Sequence, residues 1–282
     1  MTLSRQALTA VLQRHGVLAR RSLGQNFVVD PDVVRRIVAL AGIGPGDAVV
    51  EVGPGAGSLT LALAESGAEV VAVETDPAMV AVLAEVLDGV VPRPIVVQGD
   101  ATTIDWAELL SALPRSAPGD RSWAMVANLP YNVAVPIVLH ALRTAPVIDP
   151  LVVMVQKEVA DRLAADPGGK AIGVPTVKLR WYADVEVVLH VPPDAFLPRP
   201  RVDSSVVRIT RHPPLSDEAT ASVAFGLVEQ AYHQRRKMLR SSLGPEVAAV
   251  LDAVGIPPTS RPEQLTASQW AAVAVGVGGS PR

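Results

Sequence analysis

Between residues 48 and 163, short runs of β-branched and aliphatic residues alternate with helical patterns: AVVEV with SLTLALAES, EVVAVE with PAMVAVLAEVL, PIVVQ with DWAELLSAL, WAMVA with VAVPIVLHAL, and LVVMVQ with KEVADRLAA. The strand runs are continuously apolar, the pattern of strands buried on both faces. Their alternation with helices predicts a parallel sheet covered by helices. The rhythm then changes. DVEVVLHV and SSVVRIT are joined by the Pro-rich stretch PPDAFLPRPRV, which leaves no room for a crossover helix, so this pair is expected to be antiparallel. The fold class is therefore α/β, with a seven-stranded, mostly parallel sheet and one reversed strand. Beyond RHPPLS at 211–216 only helical patterns remain: DEATASVAFGLVEQAYHQ, RRKMLRSSL, PEVAAVLDAV and TASQWAAVAVGV. They predict a small all-helical domain over 216–282, behind a sheet domain over 1–211 that opens with two helices, around 4–14 and 32–41.

Composition excludes several classes. With 282 residues, 49% of them apolar, the chain has enough to bury a proper core. It has no cysteine, and its five histidines do not cluster, so a disulfide framework, a Cys nucleophile and a metal site are not expected. No window approaches the roughly 18 uninterrupted apolar residues of a membrane span, and MTLSRQALTAVLQRHG lacks a signal-peptide core. A soluble, cytoplasmic protein with no membrane partner is expected. The net charge of −3 is unevenly divided: residues 1–36 carry +4, 37–198 carry −10, and 199–240 carry +4. An acidic body with basic flanks suits a polyanionic partner, because each neutralised phosphate releases counterions; an ordinary solvated surface would read the same way.

The candidate site residues fall at strand ends. The first strand of the alternation runs into EVGPGAGSLT, where Glu51 precedes Gly53, Gly55 and Gly57. Glycines at a strand-to-helix turn let the backbone approach a ligand, and the helix start offers free N–H groups. Glu74 ends the second strand, where a carboxylate can accept from both hydroxyls of a ribose. Asp100 ends the third, where it could accept from an adenine amino group. The turn reads G-x-G-x-G, unlike the G-x-G-x-x-G of dinucleotide enzymes, and no second phosphate loop is present. A cofactor without a pyrophosphate, such as S-adenosyl-L-methionine, suits it better, and its cationic sulfonium suits an acidic domain.

The fourth strand ends in NLPY, Asn128 to Tyr131. This is either a plain strand-to-helix turn or a base-holding one. Adenine N6 is a poor nucleophile because its lone pair is delocalised into the ring. If the Asn128 amide oxygen and the Leu129 carbonyl each accept one N–H, the nitrogen is drawn towards a tetrahedral geometry and its lone pair is freed. Pro130 stiffens such a turn, and Tyr131 offers a ring for stacking.

Together QNF at 25–27, EVGPGAGSLT, NLPYN, QKEVADRL at 156–163, FLPRPRVDSSVVR at 196–208 and QRRKMLRSSL at 234–243 resemble the ribosomal RNA adenine dimethyltransferase family, in its small-subunit branch. The resemblance runs from about residue 15 to the end. It implies a class I S-adenosylmethionine-dependent, Rossmann-like fold with a helical C-terminal domain that contacts RNA or ribosome. It also implies transfer of four methyl groups to N6 of two adjacent adenosines in the 3′-terminal hairpin loop of 16S rRNA, on a small-subunit precursor, by a monomer. Carried over, Gln25, Asn26 and Val28 close over the cofactor. Gly53 meets its methionine part, Glu74 its ribose, and Asp100 with Ala101 its adenine, while Asn128 links cofactor to target. Tyr131 and Phe196 sandwich the flipped base. Arg20, Arg21, Arg199, Arg201, Arg235, Arg236, Lys237 and Arg240 become candidates for phosphate contact.

The chain departs from the family pattern at KAIGVPTV, where Ile172 and Val174 replace a common aromatic and arginine, and at Tyr232, where Phe is common. Other readings remain: a large-subunit rRNA methylase of the antibiotic-resistance type, a ribosome-assembly factor without catalysis or a transcription factor of the same ancestry, and a dinucleotide-dependent reductase. The full VDSSVVR and QRRKMLRSSL runs favour the small-subunit branch.

Overall fold

The computed structural model describes residues 2–17, 26–113 and 122–278. Helix α1 (Arg5–Arg14) is followed by a two-residue strand β1 (Phe27–Val28) and by α2 (Pro31–Ala41). The boundaries of α2 are written in its sequence. The Asp30 carboxylate accepts from the Asp32 and Val33 amides, Pro31 occupies the first turn, and Gly42 closes the end in the left-handed region.

The alternation then unfolds as expected: β2 (Ala48–Val52), α3 (Ser58–Glu65), β3 (Glu69–Glu74), α4 (Pro77–Val86), β4 (Ile95–Gln98), α5 (Trp106–Ser111), β5 (Trp123–Asn128), α6 (Ala134–Thr144), β6 (Ile148–Gln156) and α7 (Lys157–Leu163). After α8 (Val174–Leu179) come β7 (Ala183–Val191), β8 (Phe196–Leu197) and β9 (Ser204–Arg211). The seven-stranded sheet has the order β4-β3-β2-β5-β6-β9-β7. Pairs β2–β3, β2–β5, β3–β4 and β5–β6 are parallel, and β9 runs antiparallel to β6. The order reverses between β2 and β5, and the carboxyl ends of strands at such a switch point flank a natural ligand crevice. Every residue of β2 is buried, whereas β4 lies at the edge and is partly exposed. Two short strands absent from the sequence reading, β1 and β8, pair antiparallel with Phe27 opposite Leu197 and Val28 opposite Phe196.

The chain divides into two compact units, Met1–Ala160 with Glu186–Thr210, and Asp161–Val185 with Arg211–Arg282. A single boundary between 211 and 216 therefore needs correction: the segment 161–185, which carries α8, groups with the helical unit. The core of the first unit joins Val34 and Ile37 of α2 and Leu63 of α3 to sheet residues Val49, Val126, Val152 and Val206. The second unit adds α9 (Glu218–His233), α10 (Leu239–Leu243), α11 (Pro245–Ala253) and α12 (Ala267–Gly278). Val228, Leu239, Leu251, Trp270 and Val273 close on Val177 of α8 to form its core. Ile172 is buried and Val174 packs against that same core, so both departures from the family pattern are apolar groups with an apolar role. Among the described residues, no helix is long and apolar enough to cross a membrane.

Candidate active site

The carboxyl ends of β2, β3 and β5 and the turn after β4 open onto a cavity of about 260 Å³. Asn26, Val28, Glu51, Gly53, Gly55, Glu74, Asp100, Ala101, Asn128 and Pro130 line it, so most of the expected cofactor residues come together. Phe27, Ser58, Thr75, Asp76, Thr102, Asn132 and Ile137 share the wall. Four carboxylates face this space, and none of the lining residues is Lys, Arg or His. Such a wall favours a ligand with positive charge and hydroxyl or amino donors, and disfavours a pyrophosphate.

The glycine turn is shaped by close approach. Gly53 and Gly55 have φ of 66° and 55°, a region L side chains rarely adopt. A methyl group on Gly55 would stand 2.8 Å from the Phe27 ring, and one on Gly53 would lie 3.3 Å from the Pro130 ring. The first turn of α3 is thus roofed by β1 and flanked by the NLPY turn. Gly57 differs from the expectation for it. It does not line the cavity, and its bare face is pressed towards Leu83 and Val86 of α4, so it serves helix packing.

The carboxylates have different states. Glu74 Oε1 accepts from the Asp76 amide at 2.9 Å and Oε2 from the Gly55 amide at 3.3 Å, which orients the carboxylate, while burial holds its pKa above the usual value. Asp100 sits at the exposed rim. Its Oδ1 accepts from the Thr102 hydroxyl and amide, and these bonds lower its pKa, leaving an ionised acceptor. Glu51 is 1% exposed, and its pKa is pushed up to about 8, chiefly by burial, with the charge of Glu74 adding. The Thr60 hydroxyl pulls this value back somewhat but makes no hydrogen bond of good geometry. Glu51 is therefore held largely protonated near neutrality.

Asn128 carries the most informative geometry. Its Nδ2 donates to the Asn26 carbonyl at 2.9 Å. A carbonyl can only accept, so this bond fixes which end of the amide points where. The opposite end, Oδ1, is shielded from water and has no partner. A buried acceptor without a donor costs about 1–3 kcal/mol, and its persistence at a cavity wall marks a place where a donor is to be received. Leu129 is buried, its amide bonded to the Met154 carbonyl at 3.0 Å. Tyr131 is half-buried, with its hydroxyl 2.8 Å from Ser204 Oγ, and neither Leu129 nor Tyr131 lines the cavity.

Two expectations are corrected here. Phe196 is fully buried among Val28, Val34, Val191 and Val206, so it is a core residue and not an exposed stacking face. Its place in a Pro-rich loop suggested exposure, but the β1–β8 pairing draws it under the sheet domain's surface. Arg235 donates to the Lys170 carbonyl at 2.9 Å, lies 3.7 Å from the Glu263 carboxylate and stacks near the Tyr232 ring. These contacts make it an internal tie of the helical unit. Arg199 pairs with Asp194 at 2.6 Å on the surface, while Arg201, Arg236, Lys237 and Arg240 are exposed. Gln25, Arg20 and Arg21 lie outside the described residues. Phe27 and Asp76 were missed as lining residues, although both adjoin residues singled out from the sequence, in QNF and ETD.

Comparison with known proteins accords with this geometry. A protein-family model described as ribosomal RNA adenine dimethylase matches residues 16–275. The chain is 46% identical to the ribosomal RNA small subunit methyltransferase A of Cutibacterium acnes, over 95% of this chain and 91% of that protein. It is also 46% identical to the protein of the same name from Streptomyces griseus, over 92% and 89%. The crystal structure of the 23S rRNA methyltransferase ErmE superposes with a TM-score of 0.65 at 28% identity, covering 90% of this chain and all of that one. A dimethyladenosine transferase from Plasmodium falciparum shares the fold, with a TM-score of 0.68 at 20% identity over 88% of this chain and 95% of that one. The chain belongs to the ribosomal RNA adenine dimethylase family.

Proposed function

We propose that this protein is an S-adenosylmethionine-dependent adenine N6,N6-dimethyltransferase of the small ribosomal subunit, modifying two adjacent adenosines in the 3′-terminal hairpin loop of 16S rRNA on a precursor particle in the cytoplasm. Relatives named as small-subunit methyltransferases, aligned over nearly the whole chain, support the substrate. The observation that carries the chemistry is the anchored Asn128 amide with its unpartnered Oδ1.

The cavity fits the cofactor class. Glu74 would hold the ribose hydroxyls and Asp100 the adenine amino group, with the glycine turn against the methionine part. The ionised Asp100 and a wall without any basic group favour a cationic ligand. When bound, the cofactor supplies an electrophilic methyl group on a sulfonium. Asn128 Oδ1 and the Leu129 carbonyl each accept an N–H of the target amine, which frees the nitrogen lone pair. Pro130, packed beside Gly53, keeps this turn in register with the cofactor wall. Hydrogen bonds that tighten as the nitrogen becomes tetrahedral act on the transition state more than on the ground state. The proton is lost to water after transfer, so no strong base is needed.

The test is transfer of labelled methyl groups from S-adenosylmethionine to unmethylated small subunits, with large-subunit RNA in parallel and digestion to nucleosides. N6,N6-dimethyladenosine from the small subunit alone is expected. Label in the large subunit would move the chain to the resistance-type branch. Tight particle binding without transfer would identify an assembly factor.

A further inference from the structure

The reversed strand β9 starts where the parallel strands end. Its first residue, Ser204, is paired with Gln156, the last residue of β6, while Asn128 at the end of β5 stands opposite Met154. The antiparallel direction therefore brings the beginning of β9 to the carboxyl edge of the sheet, beside NLPY. Ser204 and Ser205 are both fully buried, and successive strand side chains point to opposite faces. Ser205 Oγ lies 3.0 Å from His190 Nδ1, whereas Ser204 Oγ lies 2.8 Å from the Tyr131 hydroxyl. A buried hydroxyl inside a valine-rich strand is costly unless it is bonded. For Ser204 the bond reaches the far end of a half-buried aromatic ring, where one contact restrains the ring's plane.

We infer that Ser204 is a positioning residue that holds the Tyr131 ring as the platform on which the target base docks. The inference rests on the proposed reading of Tyr131 as a stacking residue. The burial of Phe196 makes that ring's orientation matter more, since the second expected stacker is committed to the core. On the proposed function, contacts remote from the target loop hold the particle first and base docking follows. A loosened ring therefore lowers the fraction of bound complexes with the base in place, and the loss falls on kcat and not on KM.

The experiment compares steady-state methyl transfer to unmethylated small subunits by the wild type, Tyr131→Phe, Ser204→Ala and the double variant, alongside cofactor affinity. Tyr131→Phe keeps the stacking ring and removes only the hydroxyl. Each single variant is expected to lower kcat roughly three- to tenfold, with KM and cofactor affinity changed by less than about twofold. The double variant should be no worse than either single, because both lose the same bond. Additive losses would overturn the inference, as would wild-type kcat in Tyr131→Phe, a result that decides even if Ser204→Ala does not fold. A wild type that transfers nothing would instead refute the proposed function, and the inference with it.

Discussion

The wall around the glycine turn and the Arg235 cluster of the helical unit are both rich in polar side chains, yet they treat them in opposite ways. Of the eight buried side-chain polar atoms without a partner among the described residues, three are oxygens of the cavity wall, on Glu51, Ser58 and Asn128, and a fourth is on Thr60 in the same first turn of α3 as Ser58. Three of the others are indole nitrogens of Trp106, Trp181 and Trp270, and the last is Glu263 Oε2, which faces Arg235 at 3.7 Å as a charge partner without a hydrogen bond. In the helical unit Arg235 is engaged by Lys170, Glu263 and Tyr232. Buried polar atoms left unsatisfied in one place point to a missing ligand, whereas a cation surrounded by partners of its own chain is doing structural duty. Charge in the sequence alone cannot make that distinction.

The sharpest way to break this contrast is Asn128→Ala. It removes the unpartnered buried oxygen that the proposed function assigns to the reacting nitrogen, and on that reading methyl transfer is expected to fall by about 10²–10³, the cost of removing one preorganised transition-state hydrogen bond. Binding to the particle should be nearly unchanged in a filter or sedimentation assay. Near-normal turnover would show that the orphaned oxygen is incidental.

Glu51→Gln tests the buried acid. In the folded protein Glu51 titrates at about 8, against 4.5 for the unperturbed group. Over the interval between, the folded state binds a proton that the unfolded state has lost, so stability declines as pH rises through it and levels off above. Glutamine cannot ionise and should remove this decline. Urea melts should show the two proteins alike near pH 4.5 and the variant more stable at pH 8 by a few kcal/mol, at roughly 1.4 kcal/mol per pH unit crossed. Parallel pH profiles for the two proteins would mean that the carboxylate ionises without penalty.

A smaller effect is expected from Gly55→Ala. The added methyl would meet the Phe27 ring at 2.8 Å in a left-handed backbone conformation. The displacement of β1 that follows should cost about 1–3 kcal/mol in stability, read by thermal melting, and weaken cofactor binding. An alanine variant that binds cofactor normally would show that β1 does not roof the site.

Most of the sheet was legible because each strand of the alternation is an uninterrupted apolar run, and the glycine turn, Glu74, Asp100 and Asn128 all stand at the ends of such runs. What escaped were features made by distant residues. The two-residue strands β1 and β8 have no periodicity to read, yet their pairing buries Phe196 and sets Phe27 over Gly55. The Asn26 carbonyl that orients Asn128 is 102 residues away, and the Lys170 carbonyl that engages Arg235 is 65 away. The RRK run was read as the start of a helix, but α10 begins only at Leu239. Arg235 and Arg236 stand side by side in the sequence, and only the fold separates their surroundings.

That separation gives the mildest and most specific prediction. Arg236, Lys237 and Arg240 are exposed, so phosphate contact, if it occurs here, falls to them. Arg236→Ala with Lys237→Ala should weaken binding to small-subunit particles, and should reduce the slope of log affinity against log salt by roughly one unit per lost phosphate contact. The fold should be unaffected. Arg235→Ala should do the reverse, lowering thermal stability by about 1 kcal/mol through the lost Lys170 bond and the weak, part-exposed Glu263 pair, with the salt slope unchanged. The two variants measured side by side decide the matter. If Arg235→Ala flattens the salt dependence, its internal contacts give way to phosphate on binding, and the division between structural and ligand-facing charge moves one residue along the chain.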